Sequence, residues 1–373
     1  MWYILARTMT ARAPVLVHGA TGFTGKLVCA ALRRRGVPFA IGGRNAEKLA
    51  ALAAELGGVE IALLEVTDND AMLGAVTGRA IVCACAGPFV EVGEPVLAAC
   101  ARAGVHYVDT TGEQAFVAMA VARYGAPAEA NGACIVPAMA FEIAPADWGA
   151  HVVAERVGGA PDAIDICYMS KPAGGSAPPT TRGTKRSIVR VVASDDARQF
   201  VAGALVAERS AAQVRRFPAR DGRSLTAASF PSPEAIVLPS HTGARTIRTF
   251  MAMTPFAARA MQVGRALAPI VARLVKSCAD RAIARAPEGP DAQVREGSTF
   301  AVFVEARAAG DRVARAWVTG RDPYGLTAEI QAWAASRAVA GRVTARGVVA
   351  PSVAYAPAEA FAELAFTGMK LEV

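Results

Sequence analysis

The chain has 373 residues, of which 53% are hydrophobic and 19% charged, with a formal net charge of +8. That length exceeds what one hydrophobic core organises and predicts two domains, and the apolar share, much of it alanine, excludes a disordered chain. The arginines behind the charge are scattered, without a basic block or interleaved aromatics, which argues against nucleic-acid binding and leaves a diffuse field suited to an anionic cofactor or an acidic partner.

The opening octet, Met1 to Thr8, is too short and too weakly charged for a secretory signal, so a cytoplasmic protein is expected, with Met9 an alternative start. Next comes Val15-Leu-Val-His-Gly19-Ala-Thr-Gly22-Phe-Thr-Gly25, which predicts a strand near 14–18, a glycine turn, and a helix near 24–35 with Leu27, Val28, Ala31 and Leu32 on its buried face. Such a turn lets backbone approach a pyrophosphate while the helix start offers free N–H groups. Gly19, Thr21, Gly22, Phe23, Thr24 and Gly25 are the candidate cofactor contacts here. Their spacing is G-x-x-G-x-x-G, not the commoner G-x-G-x-x-G, and a tight turn without a ligand is the alternative reading.

A second strand near 37–41 leads to Arg44-Asn45, about 20 residues beyond the glycine turn, where a dinucleotide fold reads the adenosine ribose. An NAD site places Asp or Glu there. This chain places Arg44, with Asn45 beside it and Lys48 one turn into a helix near 45–56, a set that suits the 2′-phosphate of NADP. The alternative is two solvated cations set against a helix macrodipole. Strands near 60–64, 80–84, 105–108 and 133–136 then alternate with helices near 69–76, 93–103 and 114–130, which predicts right-handed crossovers and a parallel, doubly wound α/β sheet of Rossmann type.

Beyond residue 150 the rhythm changes. Strand-like runs at Ile164–Met169, Ser187–Val192, Ala235–Leu238, Thr299–Ala306 and Arg312–Thr319 predict an α+β substrate domain with a largely antiparallel sheet. Pro172 to Gly183 reads as a flexible or lid-like connection, Ala286 to Asp291 as a second break, and Thr327 to Ala340 as a helix. The boundaries are 1–150 for the NADP-binding domain, 151–321 for the substrate domain and 322–373 for a C-terminal segment. No run of 18 apolar residues predicts a transmembrane span. The nearest stretch, Phe250 to Val275, is interrupted by Arg259, Arg265 and Arg273 and reads as an amphipathic helix, packed on the second domain or touching a membrane surface.

Seven cysteines (29, 83, 85, 100, 134, 167 and 278) show no C-x-x-C pair and read as buried reduced thiols, with no metal site. His18, His106, His151 and His241 are isolated and read as core or strand-end residues.

Further pieces line up: Ala86-Gly87-Pro88-Phe89, Gly104-Val-His-Tyr107-Val-Asp109-Thr-Thr-Gly112-Glu113, Pro145-Ala-Asp147, and later Gly183-Thr184-Lys-Arg-Ser187, Gly320-Arg-Asp322-Pro323-Tyr324-Gly325 and Gly347-Val-Val-Ala-Pro351. With Gly19–Gly25 and Gly43-Arg44-Asn45, they make the chain resemble the saccharopine-dehydrogenase-like oxidoreductases, and among these the branch with the trans-acting enoyl reductases. The resemblance implies NADP as cofactor, a mixed substrate domain, and a C-terminal segment that returns to the first domain. It also implies that Gly87, Pro88 and Phe89 border the nicotinamide end of the cofactor, a turn that merely caps the sheet being the alternative. Where many relatives carry Gly-Phe-Asp-Ser, this chain has Ala140-Phe141-Glu142-Ile143, and a Thr-Pro pair has become Ala350-Pro351. These departures bear on substrate more than on cofactor.

A conjugate reduction needs a donor at the substrate carbonyl and a proton source at the α-carbon. Tyr107, Glu142, Asp147, Tyr168, Lys171 and Lys185 are the residues considered, with Glu142 and Tyr168 selected as substrate-lining and no catalytic acid assigned. The expected function is an NADPH-dependent oxidoreductase acting on an activated unsaturated acyl substrate, free or carrier-bound, with an acyl carrier protein and a second copy of the chain as expected partners. Two alternatives stand. One is a saccharopine-type amino-acid dehydrogenase using Arg182, Lys185 and Arg186; the other is a non-catalytic NADP-binding scaffold with a membrane- or partner-contacting helix.

Overall fold

Short apolar runs bounded by glycine form strands buried on both faces, and the helices between them cover those faces. The computed structural model describes residues 12–65, 67–173, 180–193 and 197–373. Its first half runs β1 (Val15–His18), α1 (Phe23–Arg34), β2 (Phe39–Gly43), α2 (Ala46–Glu55), β3 (Ile61–Leu63), α3 (Asn69–Val76), β4 (Ile81–Ala84), α4 (Phe89–Val92), α5 (Glu94–Ala103), β5 (His106–Asp109), α6 (Gln114–Ala130), β6 (Cys134–Val136) and α7 (Ile143–Arg156). Six of these strands stand in the order β6-β5-β4-β1-β2-β3, all parallel. The chain crosses over at β1 and β4, so their C-terminal ends flank the crevice where such sheets bind ligands.

The second half comprises β7 (Ala163–Lys171), α8 (Arg182–Ala193), β8 (Arg198–Val201), β9 (Ala204–Ala207), β10 (Val214–Pro218), β11 (Ser224–Ser229), α9 (Glu234–Val237), α10 (Pro239–Thr242), β12 (Ile247–Ala252), α11 (Pro255–Gly264), α12 (Ala268–Arg285), α13 (Ala292–Gly297), β13 (Thr299–Ala308) and β14 (Arg312–Arg321). The rest is α14 (Pro323–Val339), β15 (Gly347–Val348), α15 (Pro351–Ala354), α16 (Pro357–Glu363) and β16 (Lys370–Glu372). The second sheet runs β10-β11-β12-β7-β13-β14-β16, with β8 paired to β12 and β9 to β8. It is antiparallel except where β7 meets β12. After α14 the chain adds β15 to the first sheet beside β6, and β16 to the second beside β14.

Three expectations are corrected. Ser187–Val192 is not a strand but lies in α8, because Thr181 caps the helix through the Thr184 N–H (3.1 Å) and packing on α12 overrides the β-branched run. Ala235–Leu238 forms the helical turns α9 and α10, and prolines at 233 and 239 fix the backbone where those turns begin. Phe250–Val275 is not one helix. Phe250 is fully buried in β12, and the chain then turns at Thr254, whose hydroxyl caps α11, before α12 follows. Cys278 on α12 is exposed, unlike the other cysteines. The six-residue stretch 174–179 and the first eleven residues, on which the lid and start-site readings fall, lie outside the described residues.

The two sheets meet over α7 and α14. Trp148 of α7 and Trp333 of α14 are both fully buried and pack edge to face at 5.9 Å, and the Trp148 indole N–H donates to the Tyr355 carbonyl at 3.1 Å. Replacing Trp148 with Ala removes one of the largest fully buried side chains and is expected to cost about 3–5 kcal/mol. Urea unfolding would read this as a lowered midpoint with an unchanged slope.

Candidate functional site

Gly19 follows β1 with φ +78°, and its N–H donates to the Gly42 carbonyl at 2.8 Å. A Cβ added there would stand 2.7 Å from the Ala86 nitrogen, so the turn after β1 and the loop after β4 can approach only at a glycine. Gly25 is equally constrained, because its Cβ would lie 2.3 Å from the Gly19 carbonyl oxygen. Gly22 is the N-cap of α1; no side chain caps this twelve-residue helix and its first turn holds no acid. Thr21 and Thr24 are half-buried beside it. A cradle that side chains would fill, opening on an uncapped helix start, fits a pyrophosphate. His18, immediately before the turn, is buried, and burial lowers its pKa to about 4, so it is neutral at pH 7.

Arg44 and Lys48 are exposed and make no side-chain hydrogen bond or ion pair among the described residues. They could take a 2′-phosphate without breaking an existing pair. Asn45 serves the helix instead, since its Oδ1 accepts the Lys48 N–H at 2.8 Å and caps α2.

On the far side of the turn the Gly87–Pro88 peptide is cis. The ring of Phe89 is buried against Phe116 at 5.5 Å, so this side chain belongs to the core. Glu113, quoted within a motif but given no role by the sequence, organises the loop. Its carboxylate accepts the N–H groups of Phe89 and Val90 at 3.0 Å each, and the Ser187 hydroxyl at 2.8 Å.

Glu142 is the N-cap residue of α7, yet its carboxyl caps nothing. Its Oε2 lies near Gly112, and burial pushes its pKa up to about 7. The Tyr168 hydroxyl, on β7, donates to the Glu234 carboxylate, which the Ser232 hydroxyl also reaches. Glu234 is fully buried, and burial together with the neighbouring Glu142 and Asp147 raises it to about 8. The fold therefore gathers the two selected residues around a second carboxyl that sequence reading missed, immediately before a segment it took for a strand. The Pro231-Ser-Pro233-Glu234 punctuation was the available signal.

Tyr324 of α14 closes this side. Its hydroxyl accepts the Thr181 N–H at 3.0 Å and lies 3.1 Å from the Thr184 hydroxyl, while its ring meets Phe23 edge to face at 5.4 Å. Tyr324 thus stands between the glycine turn, which it meets through Phe23, and Glu142, whose carboxyl is near enough to act on its hydroxyl. The other residues considered serve elsewhere in the fold or, like Asp147, are tied to other partners. Tyr107 is core, and Lys171 is exposed at the end of β7. Asp147 is tied to His241 Nε2 at 2.8 Å and the Ser352 N–H at 2.5 Å, joining α7, α10 and α15. Lys185 lies partly exposed on α8, and Arg182 donates to the Ala286 carbonyl at 2.5 Å.

Residues 15–136 match the family model described as "Saccharopine dehydrogenase NADP binding domain". A trans-acting enoyl reductase of Mycobacterium leprae is 36% identical over 149 residues, covering 38% of this chain and 36% of that protein. A putative trans-acting enoyl reductase of Mycobacterium tuberculosis is 32% identical over 189 residues, 48% of this chain and 44% of that protein. The chain thus spans less than half the length of these curated relatives. Across 96% of its length it superposes on apo saccharopine dehydrogenase (L-Glu forming) of Saccharomyces cerevisiae, covering 99% of that chain, with a TM-score of 0.60 at 12% identity, a likeness of fold.

The raised carboxyls bear on stability. Glu142 and Glu234 hold protons in the folded state that they release on unfolding, so their contribution is complete below the ordinary glutamate range and is lost as pH rises through about 7 and about 8. Thermal unfolding between about pH 5 and about pH 9 should show the midpoint falling across that window, and Glu234→Gln should flatten the fall. Parallel curves for the variant and the parent would show that Glu234 is ionised in the fold.

Proposed function

We propose that this chain, whose residues 15–136 are a saccharopine-dehydrogenase-type NADP-binding domain, is an NADPH-dependent oxidoreductase that reduces an activated unsaturated acyl group. The observation that carries the reading is one of arrangement: Tyr324 stands between a phosphate-fitting glycine cradle and a pair of carboxyls, Glu142 and Glu234, that burial raises to about 7 and about 8. When bound, the reduced nicotinamide supplies a hydride. Gly19, Gly22 and Gly25, with the start of α1 and the flanking Thr21, Phe23 and Thr24, would hold the pyrophosphate. Arg44 and Lys48 would hold the 2′-phosphate, and Gly87 and Pro88 would border the nicotinamide end.

A conjugate reduction adds hydride to the β-carbon and a proton to the α-carbon. Glu142 suits the proton delivery, because a carboxyl titrating near neutrality combines a usable proton with a competent conjugate base. Tyr168, held by Glu234, would line the substrate and orient its carbonyl. The names of the mycobacterial relatives support an enoyl substrate, and a carrier-bound acyl chain is the form proposed. The amino-acid dehydrogenase alternative is less well supported, because among the described residues no Lys or Arg side chain bonds to Glu142, Tyr168 or Glu234, whereas substrate carboxylates call for such cations.

Fluorescence titration with NADPH and NADH should show preference for NADPH. Arg44→Ala removes a charge-assisted contact and should weaken NADPH binding by about ten- to a hundredfold, with NADH unchanged. Consumption of NADPH with enoyl thioesters, lost in Glu142→Gln while NADPH still binds, would support the acid role. Unaltered turnover in that variant would move the proton source elsewhere.

A further inference from the structure

Three helices, α8, α11 and α12, combine positive charge with exposed apolar side chains. The stretches 182–193 and 255–285, which hold α8, α11 and α12, contain ten Lys or Arg and a single acid, a net +9, whereas the whole chain carries +8. The positive charge, scattered when read along the sequence, is thus concentrated on these helices.

The same helices expose bulky apolar side chains in register. Leu267, Ile270, Val271 and Leu274 recur at i, i+3, i+4 and i+7, the spacing of a stripe that a globular protein turns to its core, and all four are exposed, Leu274 at 77%. On α11, Phe256 and Val263 lie two turns apart at 85% and 71% exposure, and Ile188 of α8 is exposed as well. The opposite side of α12, with Ile283 buried, packs on α8. An apolar stripe bordered by cations is the chemistry of a helix lying in a membrane interface.

We propose that α11 and α12 dock the protein on an anionic lipid surface, with Phe256, Val263, Leu267, Ile270, Val271 and Leu274 entering the acyl boundary and cations of the same helices, Arg259 and Arg281 among them, meeting the headgroups. Charge complementarity selects this occupant. A second copy of the chain would bring two cation-rich faces together, which repulsion opposes. An acidic protein partner would match the charge but would not by itself call for so many exposed aliphatic and aromatic groups.

Cosedimentation of the full chain with vesicles tests this without cofactor or substrate, so its outcome is independent of the enzymatic reading. Binding is expected to vesicles of equimolar phosphatidylcholine and phosphatidylglycerol, with little to phosphatidylcholine alone. Phe256→Ser combined with Leu274→Ser should lower the partition coefficient by at least about tenfold, since each residue contributes buried apolar area. Both side chains are largely exposed, so the thermal midpoint should not change. Three results would each overturn the proposal: no binding to the anionic vesicles, equal binding by the double variant, or a dimer or an acidic carrier protein that forms through these residues while vesicles are ignored.

Discussion

One amide side chain ties the crevice to the rest of the molecule. Gln331 is fully buried in α14, and its Nε2 donates to the carbonyls of Asp109 and Met139 at 2.8 Å each, at the end of β5 and just beyond β6. Those two bonds fix where α14 crosses the first sheet. Everything else on α14 follows from that placement. Glu329 meets Arg34 and Arg35 on α1 at 2.6 and 3.0 Å, Trp333 packs on Trp148 beneath the second sheet, and Tyr324 is delivered beside Phe23 at the glycine turn. A helix from late in the chain thereby sets where the glycine turn and the carboxyls stand relative to each other. The Oε1 of Gln331 is buried with no hydrogen-bond partner among the described residues, so the two Nε2 bonds carry all of the side chain's polar pairing and removing either acceptor would leave the amide stranded.

The crevice concentrates carboxyls where charge is expensive. Asp147 escapes the cost by facing His241 and a helix start at Ser352, whereas Glu142 and Glu234 have no cation within hydrogen-bond reach among the described residues. Their protons are the solution: a neutral carboxyl avoids the desolvation penalty that an ion would meet. The same property makes them useful, because a group kept protonated by its surroundings gives its proton up when charge develops beside it. Asp109, also fully buried, is raised to about 7 by burial, but its Oδ1 is spent on the N–H groups of Thr111 and Ala138, so its role is to hold the strand end.

Legibility in the sequence followed how local the constraints were. The first sheet could be read because its inner strands are buried on both faces, so runs such as Val15–His18 and Ile81–Ala84 stand out whole, and because each glycine of the turn answers to a neighbour a few residues or one strand away. In the second sheet β10 reads Val-Arg-Arg-Phe-Pro and β9 is exposed throughout, so neither shows an inward face that a sequence pattern can report. Glu142 and Tyr168 could be singled out by their place after β6 and on β7, whereas Glu234, which bonds to Tyr168, could not. Its partner Tyr168 lies 66 residues earlier, and nothing in Phe230-Pro-Ser-Pro-Glu-Ala-Ile-Val announces that pairing. The same limit explains the misread α8, whose β-branched residues suit a strand until packing on α12 is known.

The basic helices and the crevice meet through α8. On its inner side Ser187 reaches Glu113, Thr184 reaches Tyr324, and Arg190 pairs with Glu91 beside the cis peptide. The segment after α12 adds Glu288 facing Lys26 at 3.6 Å and Gly289 against the ring of Phe23. Most of these ties are polar, and each is worth about 1 kcal/mol, far less than the buried aromatic contacts that join α7 to α14. The unit of α8 and α12 is therefore held to the crevice more weakly than the elements around the second sheet are held together. The helix that packs on α12 on one side thus supplies Thr184 and Ser187 to Tyr324 and Glu113 on the other, so the cationic helices and the surroundings of Tyr324 share a single element.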